Sequence, residues 1–324
     1  MLHQLSLARL PVVEAVERLR PPGSARGRPS GAFMHRGVLI YRGERGLCAG
    51  PEGRSVHPDP EGWCYLGAQS AGSVIIAKKA KHRMVPPIAE AVVFLRAGQG
   101  EVASFPGQCF VVSPGARRAV VADLRSGELS AIDLRTFTAR SLGKIEGALE
   151  PRYELPLWLS DDGAVLLYLE TEAEQSGSRL IRLDLETGRK RLVWGPIAGP
   201  SWISGIRLPG APSGRILSLT MRLAPRPRFE LHLGDSLLLE LDQPQSRHPP
   251  TIVGSSHVAM VLSPERSPFA SYGPSDLYLV PLRAGVLHRL TQSGDVRGRT
   301  RLEDGAIWVE GGTEVLRVSL SRST

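Results

Sequence analysis

The stretch LIRLDLETGRKRLV, residues 180–193, can form either one charged helix or two strands joined by a turn. Its Leu, Glu, Arg and Lys content suits a helix. However, Ile181, Leu183 and Leu185 occupy alternate positions, as on one face of a strand. Glu-Thr-Gly follows, and Gly188 supplies the positive φ that tight turns need. We therefore predict a hairpin rather than a helix.

The same pattern recurs along the chain. LSAIDLRTFTARSL at 129–142 aligns with 180–193 without a gap, which places Asp133 at the position of Asp184. Each aspartate can accept hydrogen bonds from nearby backbone N–H groups and so anchor the start of a turn. Less complete copies of the hairpin occur at 91–105, 237–247, 277–290 and 315–320.

A second element precedes several of these hairpins: an apolar run, a polar turn and another strand-like run. Clear copies are VVSPGARRAVVAD, WLSDDGAVLLYLE and VLSPERSPFASYG, at 111–123, 158–170 and 261–273. The units recur roughly every 40 to 56 residues. Four short strands in a unit of this length are typical of a β-propeller blade. We predict an all-β fold, a β-propeller of seven blades, with six as the alternative.

The last unit stops after its third strand, VLRVSL at 315–320. A ring of blades must cover its strand edges. We therefore expect a strand from early in the chain, near residues 36–42, to complete the final blade.

The repeats resemble those of known propellers. GSRLIRLDLETGRKRL at 177–192 resembles the end of a WD-repeat blade, with Leu183 in the place of the usual Trp. SSHVAMVLSP at 255–264 resembles the Gly-His opening of the same repeat, and LSDDG at 159–163 resembles a turn of TolB-like propellers. The resemblance implies a propeller architecture and points to no particular subfamily.

Residues 1–31 differ in character from the propeller, which we assign to 32–324. PVVEAVERLR at 11–20 suggests an amphipathic helix, followed by a linker rich in Pro, Gly and Arg. Such a helix either folds over the edge of the propeller or docks in a groove of a partner, and a flexible, disordered segment is the third alternative. Its apolar side consists of Val12, Val13, Val16 and Leu19.

One cluster of charge is unusual for this composition. The chain has a net charge of +8, and most of its basic residues are arginine. Three of its few lysines nevertheless lie together in IIAKKAKHRMVPP at 75–87. The cluster is either a contact for phosphate or an acidic protein, or a solvated loop between strands. It comprises Lys78, Lys79, Lys81, His82 and Arg83.

Composition limits the remaining classes of function. No window approaches eighteen apolar residues, and the first residues do not have the pattern of a secretory signal. Three widely spaced cysteines form neither a disulfide framework nor a zinc ligand set. The scattered histidines have no metal-binding spacing, and neither a phosphate loop nor a nucleophile motif is present. We expect a cytoplasmic protein without membrane insertion, metal or cofactor.

These observations favour a non-catalytic interaction scaffold over an enzyme. We expect a propeller subunit of a multiprotein assembly, whose partner is another protein. One alternative is a propeller enzyme or small-ligand sensor with a site in the central channel, because such a site needs no motif in sequence. The other alternative is a nucleic-acid or polyanion binder that uses its basic surface.

Overall fold

The chain forms a seven-bladed β-propeller, as the repeats predict. The computed structural model describes residues 13–22, 30–43, 46–58, 63–81, 88–113, 115, 117–145, 157–171, 178–197, 202–206, 215–222, 228–241, 250–254, 256–262, 275–283 and 286–320. These residues form seven four-stranded antiparallel sheets and contain no helix. The strands are β1 (Val13–Leu19), β2 (Ser30–His35), β3 (Val38–Gly43), β4 (Gly46–Ala49), β5 (Arg54–Pro58), β6 (Trp63–Ala71), β7 (Val74–Lys81), β8 (Ala89–Arg96), β9 (Gly100–Pro106), β10 (Cys109–Val112), β11 (Arg118–Asp123), β12 (Glu128–Asp133), β13 (Ala139–Lys144), β14 (Leu157–Leu159), β15 (Val165–Thr171), β16 (Ser178–Asp184), β17 (Lys190–Ile197), β18 (Trp202–Ile206), β19 (Arg215–Arg222), β20 (Arg228–Leu233), β21 (Ser236–Leu241), β22 (Thr251–Val253), β23 (His257–Leu262), β24 (Asp276–Pro281), β25 (His288–Arg289), β26 (Gly298–Glu303), β27 (Ala306–Gly311) and β28 (Val315–Leu320).

Six blades are built from four consecutive strands each. Blade 1 is β2–β5, blade 2 is β6–β9, blade 3 is β10–β13, blade 4 is β14–β17, blade 5 is β18–β21 and blade 6 is β22–β25. The first strands of neighbouring blades contact one another, as β2 does with β6 and β14 does with β18. First strands therefore surround the central axis, and fourth strands form the outer rim.

Blade 7 closes the ring with strands from both ends of the described chain. Its order is β1-β28-β27-β26, with Val13 opposite Leu320 and Leu19 opposite Val315. The predicted amphipathic helix is therefore wrong, because these residues form the outer strand β1. The assignment of 36–42 to the last blade is also wrong: those residues fall largely in β3, and blade 1 uses them for its own sheet.

Contacts between blades 7 and 1 reinforce this closure. The backbone N–H of Ala32 donates to the carbonyl of Gly312 at 3.0 Å. The N–H of Met34 donates to Oε1 of Glu310, also at 3.0 Å. The innermost strand of blade 1 is thus bonded to the middle of blade 7.

The hairpin of residues 180–193 is confirmed as β16, a turn and β17. Oδ1 of Asp184 accepts hydrogen bonds from the N–H of Glu186 at 3.1 Å and of Thr187 at 2.8 Å. These donors lower the pKa of the Asp184 carboxyl. Gly188 has a φ of 70°. Asp133 anchors the corresponding turn of blade 3 in the same way, as its place in the repeat predicts.

The hydrophobic core lies between blades rather than within one. Buried residues of blade 3, such as Val120 and Leu129, pack with Leu166 and Leu183 of blade 4. Similar clusters join blades 1 and 2, 2 and 3, 5 and 6, 6 and 7, and 7 and 1. Each sheet buries both faces only when it has neighbours, so the blades stabilise one another.

Candidate functional site

A cavity of about 230 Å³ opens where the first strands of blades 7, 1, 2 and 3 meet. Most of its walls come from residues near the beginnings of β2, β6, β10 and β26. It therefore lies at one mouth of the central channel and extends between blades 1 and 2. The described lining residues are Gly31, Arg42, Leu47, Tyr65, Leu66, Gly67, Ala68, Lys78, Phe110, Arg299 and Gly311.

Three cationic side chains from three blades converge on this cavity. Arg42 belongs to blade 1, Lys78 to blade 2 and Arg299 to blade 7, and each is partly buried. Among the described lining residues there is no carboxylate. The cavity therefore brings together basic side chains from three blades.

A β-bulge shapes the wall around Lys78. The pairing of β6 with β7 shifts register between Tyr65 and Gly67, which places Gly67 opposite Lys78. A Cβ at Gly67 would lie 3.7 Å from Cε of Lys78, so a larger side chain there would occupy the space along the lysine. Bulges commonly redirect side chains at binding sites.

The carboxylate of Glu310 lies directly across the strand pair from Arg299. Its Oε1 accepts hydrogen bonds from Nη2 of Arg301 at 2.9 Å and from the N–H of Met34 at 3.0 Å. Glu310 is almost fully buried. It is therefore engaged in joining blade 7 to blade 1.

The structure separates the lysines that the sequence places together. Lys78 faces the cavity, whereas Lys79 forms an ion pair with Glu101 at 3.1 Å. Lys81 lies 3.6 Å from Glu90. The ammonium groups of Lys79 and Lys81 both lie 5.3 Å from the centroid of the Trp63 ring, a contact that sequence reasoning missed. The other two members of the predicted cluster, His82 and Arg83, lie outside the described residues.

The predicted docking residues lie on β1 instead of a helix. Val13 packs against the core between blades 6 and 7, and Leu19 against the core between blades 7 and 1. Val16 is 45% exposed on the outer rim. Val12 lies outside the described residues.

The outer edge of blade 4 exposes a second surface, formed by β17. Leu192 is 54% exposed and Val193 is 39% exposed, although they are consecutive apolar residues. Among the described strands, β17 is the last of its sheet, so one edge of its backbone has no strand paired with it there. Arg191 lies directly opposite Arg182 of β16, and both are exposed. Like charges in this arrangement destabilise a sheet, and an acidic group between them would relieve the repulsion.

Other reactive residues have structural environments. In the part of the chain that the structure describes, no three His, Cys, Asp or Glu residues form a group suited to a metal ion. Cys48, Cys64 and Cys109 are not joined in disulfides. His257 begins β23 and packs edge-to-face against His288, and burial lowers the pKa of its imidazole. The described residues also include no helix that is long and apolar enough to cross a membrane.

Comparisons with known proteins support the fold alone. No protein-family model matches the sequence, and no curated protein matches it. Among solved structures, the tricorn protease matches with a TM-score of 0.57 at 11% identity, over 93% of this chain and 33% of its own. The acylaminoacyl peptidase of Pyrococcus horikoshii matches with 0.52 at 11%, over 76% and 42%. An extracellular domain of a one-component system from B. thetaiotaomicron matches with 0.53 at 9%, over 95% and 41%. The chain thus spans less than half of each of these proteins.

Proposed function

We propose that the protein is a non-catalytic propeller that binds another protein and acts as a subunit of an assembly in the cytoplasm. The propeller supplies a rigid platform, since each blade is fixed by its neighbours. The lack of a disulfide among Cys48, Cys64 and Cys109 is consistent with a reducing compartment. The observation that carries the proposal is the outer edge of blade 4.

That edge has the features of a strand-addition site. β17 combines an open backbone edge with exposed Leu192 and Val193. An extended segment of a partner could pair with this backbone and cover the apolar side chains. Few exposed strands in soluble proteins combine an open edge with adjacent large apolar residues unless something covers them.

The charges beside the edge define the chemistry of the partner. Exposed Arg182 and Arg191 face each other across β16 and β17, and Arg189 lies between them in the connecting turn. A strand carrying Asp or Glu next to apolar residues would neutralise this group. We therefore assign an acidic, extended segment of another protein to this surface.

Affinity purification from the organism of origin tests the proposal. The intact protein should retain a stoichiometric partner, and Leu192→Asp or Arg191→Glu should reduce its recovery at least tenfold. Val286→Asp, at a more exposed apolar residue in a loop of blade 6, is the control and should leave recovery unchanged. Equal recovery with all three variants, or no stoichiometric partner with the intact protein, would refute this function.

A further inference from the structure

The fourth strands of blades 1 to 5 share one irregularity. In each blade, the pairing of the third strand with the fourth shifts register and forms a β-bulge. The shift leaves one apolar residue of the fourth strand with no residue opposite it: Val56, Val102, Leu142, Val193 and Leu238, in blade order. Four of them pack against the core between blades, whereas Val193 of blade 4 is 39% exposed.

The residue that precedes this bulge is exposed in all five blades. It is polar in blades 1, 2 and 3, where it is Ser55, Glu101 and Ser141. In blades 4 and 5 it is instead Leu192, which is 54% exposed, and Leu237, which is 51% exposed. Two neighbouring blades therefore carry leucine at a rim position where the other three carry a polar residue. Exposed apolar residues that cluster in this way are typical of an interaction surface.

Blades 4 and 5 meet at the rim through Trp194 and His232. Their rings pack edge-to-face with 6.3 Å between the centroids. Nε2 of His232 lies 2.9 Å from Oε2 of Glu230, which orients the imidazole. Leu237 is directly opposite His232 in the pairing of β20 with β21, so the two side chains lie on the same face of blade 5. Trp194, His232 and Leu237 thus form a continuous path across the junction of the two blades.

The arginines of the proposed binding surface lie on the same face of blade 4 as Trp194. Trp194 pairs with Leu180, and Arg191 pairs with Arg182. Leu180 and Arg182 are two positions apart on β16 and therefore project from one face of the sheet. Arg191 and Trp194 consequently share the face that contacts blade 5. Basic and aromatic side chains are side by side there.

We propose that the acidic segment bound by β17 also inserts a large apolar side chain at the junction of blades 4 and 5. This inference rests on the function proposed above. Asp or Glu of the segment faces Arg182 and Arg191. A Leu, Ile or Phe of the same segment contacts Trp194, His232 and Leu237, and the apolar path is thereby covered.

The direction of β17 sets the order of these residues in the partner. The described strands of blade 4 pair antiparallel, so an added strand should run opposite to β17. Trp194 follows Arg191 along β17. The apolar residue of the partner therefore precedes its acidic residue, and the segment is defined by order as well as by composition.

A displayed library of random peptides, selected on the full chain, provides a defined probe. Selected peptides should carry a large apolar residue on the N-terminal side of Asp or Glu. Leu237→Ser gives blade 5 the residue that blades 1 and 3 have at this position, and so removes the apolar contact at an exposed site. It should weaken binding of the selected peptides at least tenfold in isothermal titration calorimetry.

Val16→Ser is the matched control. Val16 is 45% exposed and lies on β1, the fourth strand of blade 7. The substitution removes a similarly exposed apolar side chain from the rim of another blade, and it should leave the peptide affinity unchanged. Circular dichroism confirms that both variants are folded.

The outcomes distinguish this inference from the proposed function. Peptides that lose affinity with Leu192→Asp and Arg191→Glu, yet bind Leu237→Ser as tightly as the intact protein, would overturn the inference and leave the function in place. Selected peptides in which the acidic residue comes first would also overturn it. Equal affinity for all of these variants, or failure to select any peptide, would overturn both proposals.

Discussion

Arg18 offers a direct test of how the ring is closed. This side chain of β1 donates from Nη1 and Nη2 to the two carboxylate oxygens of Asp295, each at 3.1 Å. Nη1 also lies 2.5 Å from Oε1 of Glu314. Within the described ranges, Arg20 contacts Glu314 alone, through Nε at 2.8 Å. The first arginine therefore fastens β1 both to the connection between blades 6 and 7 and to the turn between β27 and β28, and the second only to that turn.

The magnitude follows from exposure. The Arg18 side chain is 24% exposed, and that of Arg20 is 68% exposed. Hydrogen bonds to charged groups contribute about 1.5–3 kcal/mol when well buried, whereas exposed ion pairs contribute about 0.2–1 kcal/mol. Since Asp295 is largely exposed, we expect Arg18→Ala to cost about 2 kcal/mol and Arg20→Ala about 0.5 kcal/mol.

Scanning calorimetry and hydrogen exchange measure the effect. At about 2.1 cal/mol/K per residue, unfolding of 324 residues has an entropy of about 0.7 kcal/mol/K, so 2 kcal/mol lowers Tm by about 3 °C. Backbone amides of β28 should exchange faster in Arg18→Ala than in Arg20→Ala. Equal shifts in the two variants, or unchanged exchange in β28, would refute the role assigned to Arg18.

The same contact predicts a dependence on pH. The hydrogen bonds from Arg18 lower the pKa of the Asp295 carboxyl below its ordinary value. A carboxyl with a lowered folded pKa stabilises the protein above its unfolded pKa of about 3.9, and that stabilisation is lost as pH falls through the folded pKa. The difference between Arg18→Ala and the intact protein should therefore shrink below about pH 4.

Three further substitutions test other parts of the ring. Asp276→Ala removes a buried carboxylate that accepts hydrogen bonds from Thr291, Arg289 and the N–H of Gly294, and should lower the free energy of unfolding by about 3 kcal/mol in urea titrations. Asp184→Ala removes the anchor of the blade 4 turn and should lower the urea midpoint of unfolding, whereas an unchanged midpoint would contradict that role. Burial lowers the pKa of His35, so the folded protein binds fewer protons than the unfolded chain; stability should fall as pH drops below about 6.5, and less steeply in His35→Gln.

Local sequence was sufficient to predict the blades because their hairpins are formed by residues that are close in the chain. Alternation at Ile181 and Leu183, the aspartate at the turn entry and Gly188 all act within a few positions. The repeat then supplied the number of blades. By contrast, β1 has Glu, Ala, Leu and Arg, which favour a helix when only near neighbours are considered. Its strand conformation depends on pairing with β28, about three hundred residues away in the chain.

For the same reason, the cavity could not be predicted from local sequence patterns. Arg42 and Arg299 lie at opposite ends of the chain, and neither belongs to a recognisable motif. The predicted lysine cluster does include β7, a strand that lines the cavity. Because side chains alternate along β7, however, Lys78 lies at the cavity whereas Lys79 pairs with Glu101. Only the ring, which brings blade 7 beside blade 1, assembles the three cations.

The closure by β1 also determines the order in which the propeller can fold. Blades 1 to 6 each consist of consecutive strands and can form as soon as their own residues have been synthesised. Blade 7 cannot be completed until β28 has been synthesised, so β1 remains without this partner strand during synthesis of almost the whole domain. During that interval both β1 and the last sheet have open edges that can aggregate. Completion of blade 7 is thus the last pairing that the order of synthesis permits, and it joins strands from the two ends of the described chain.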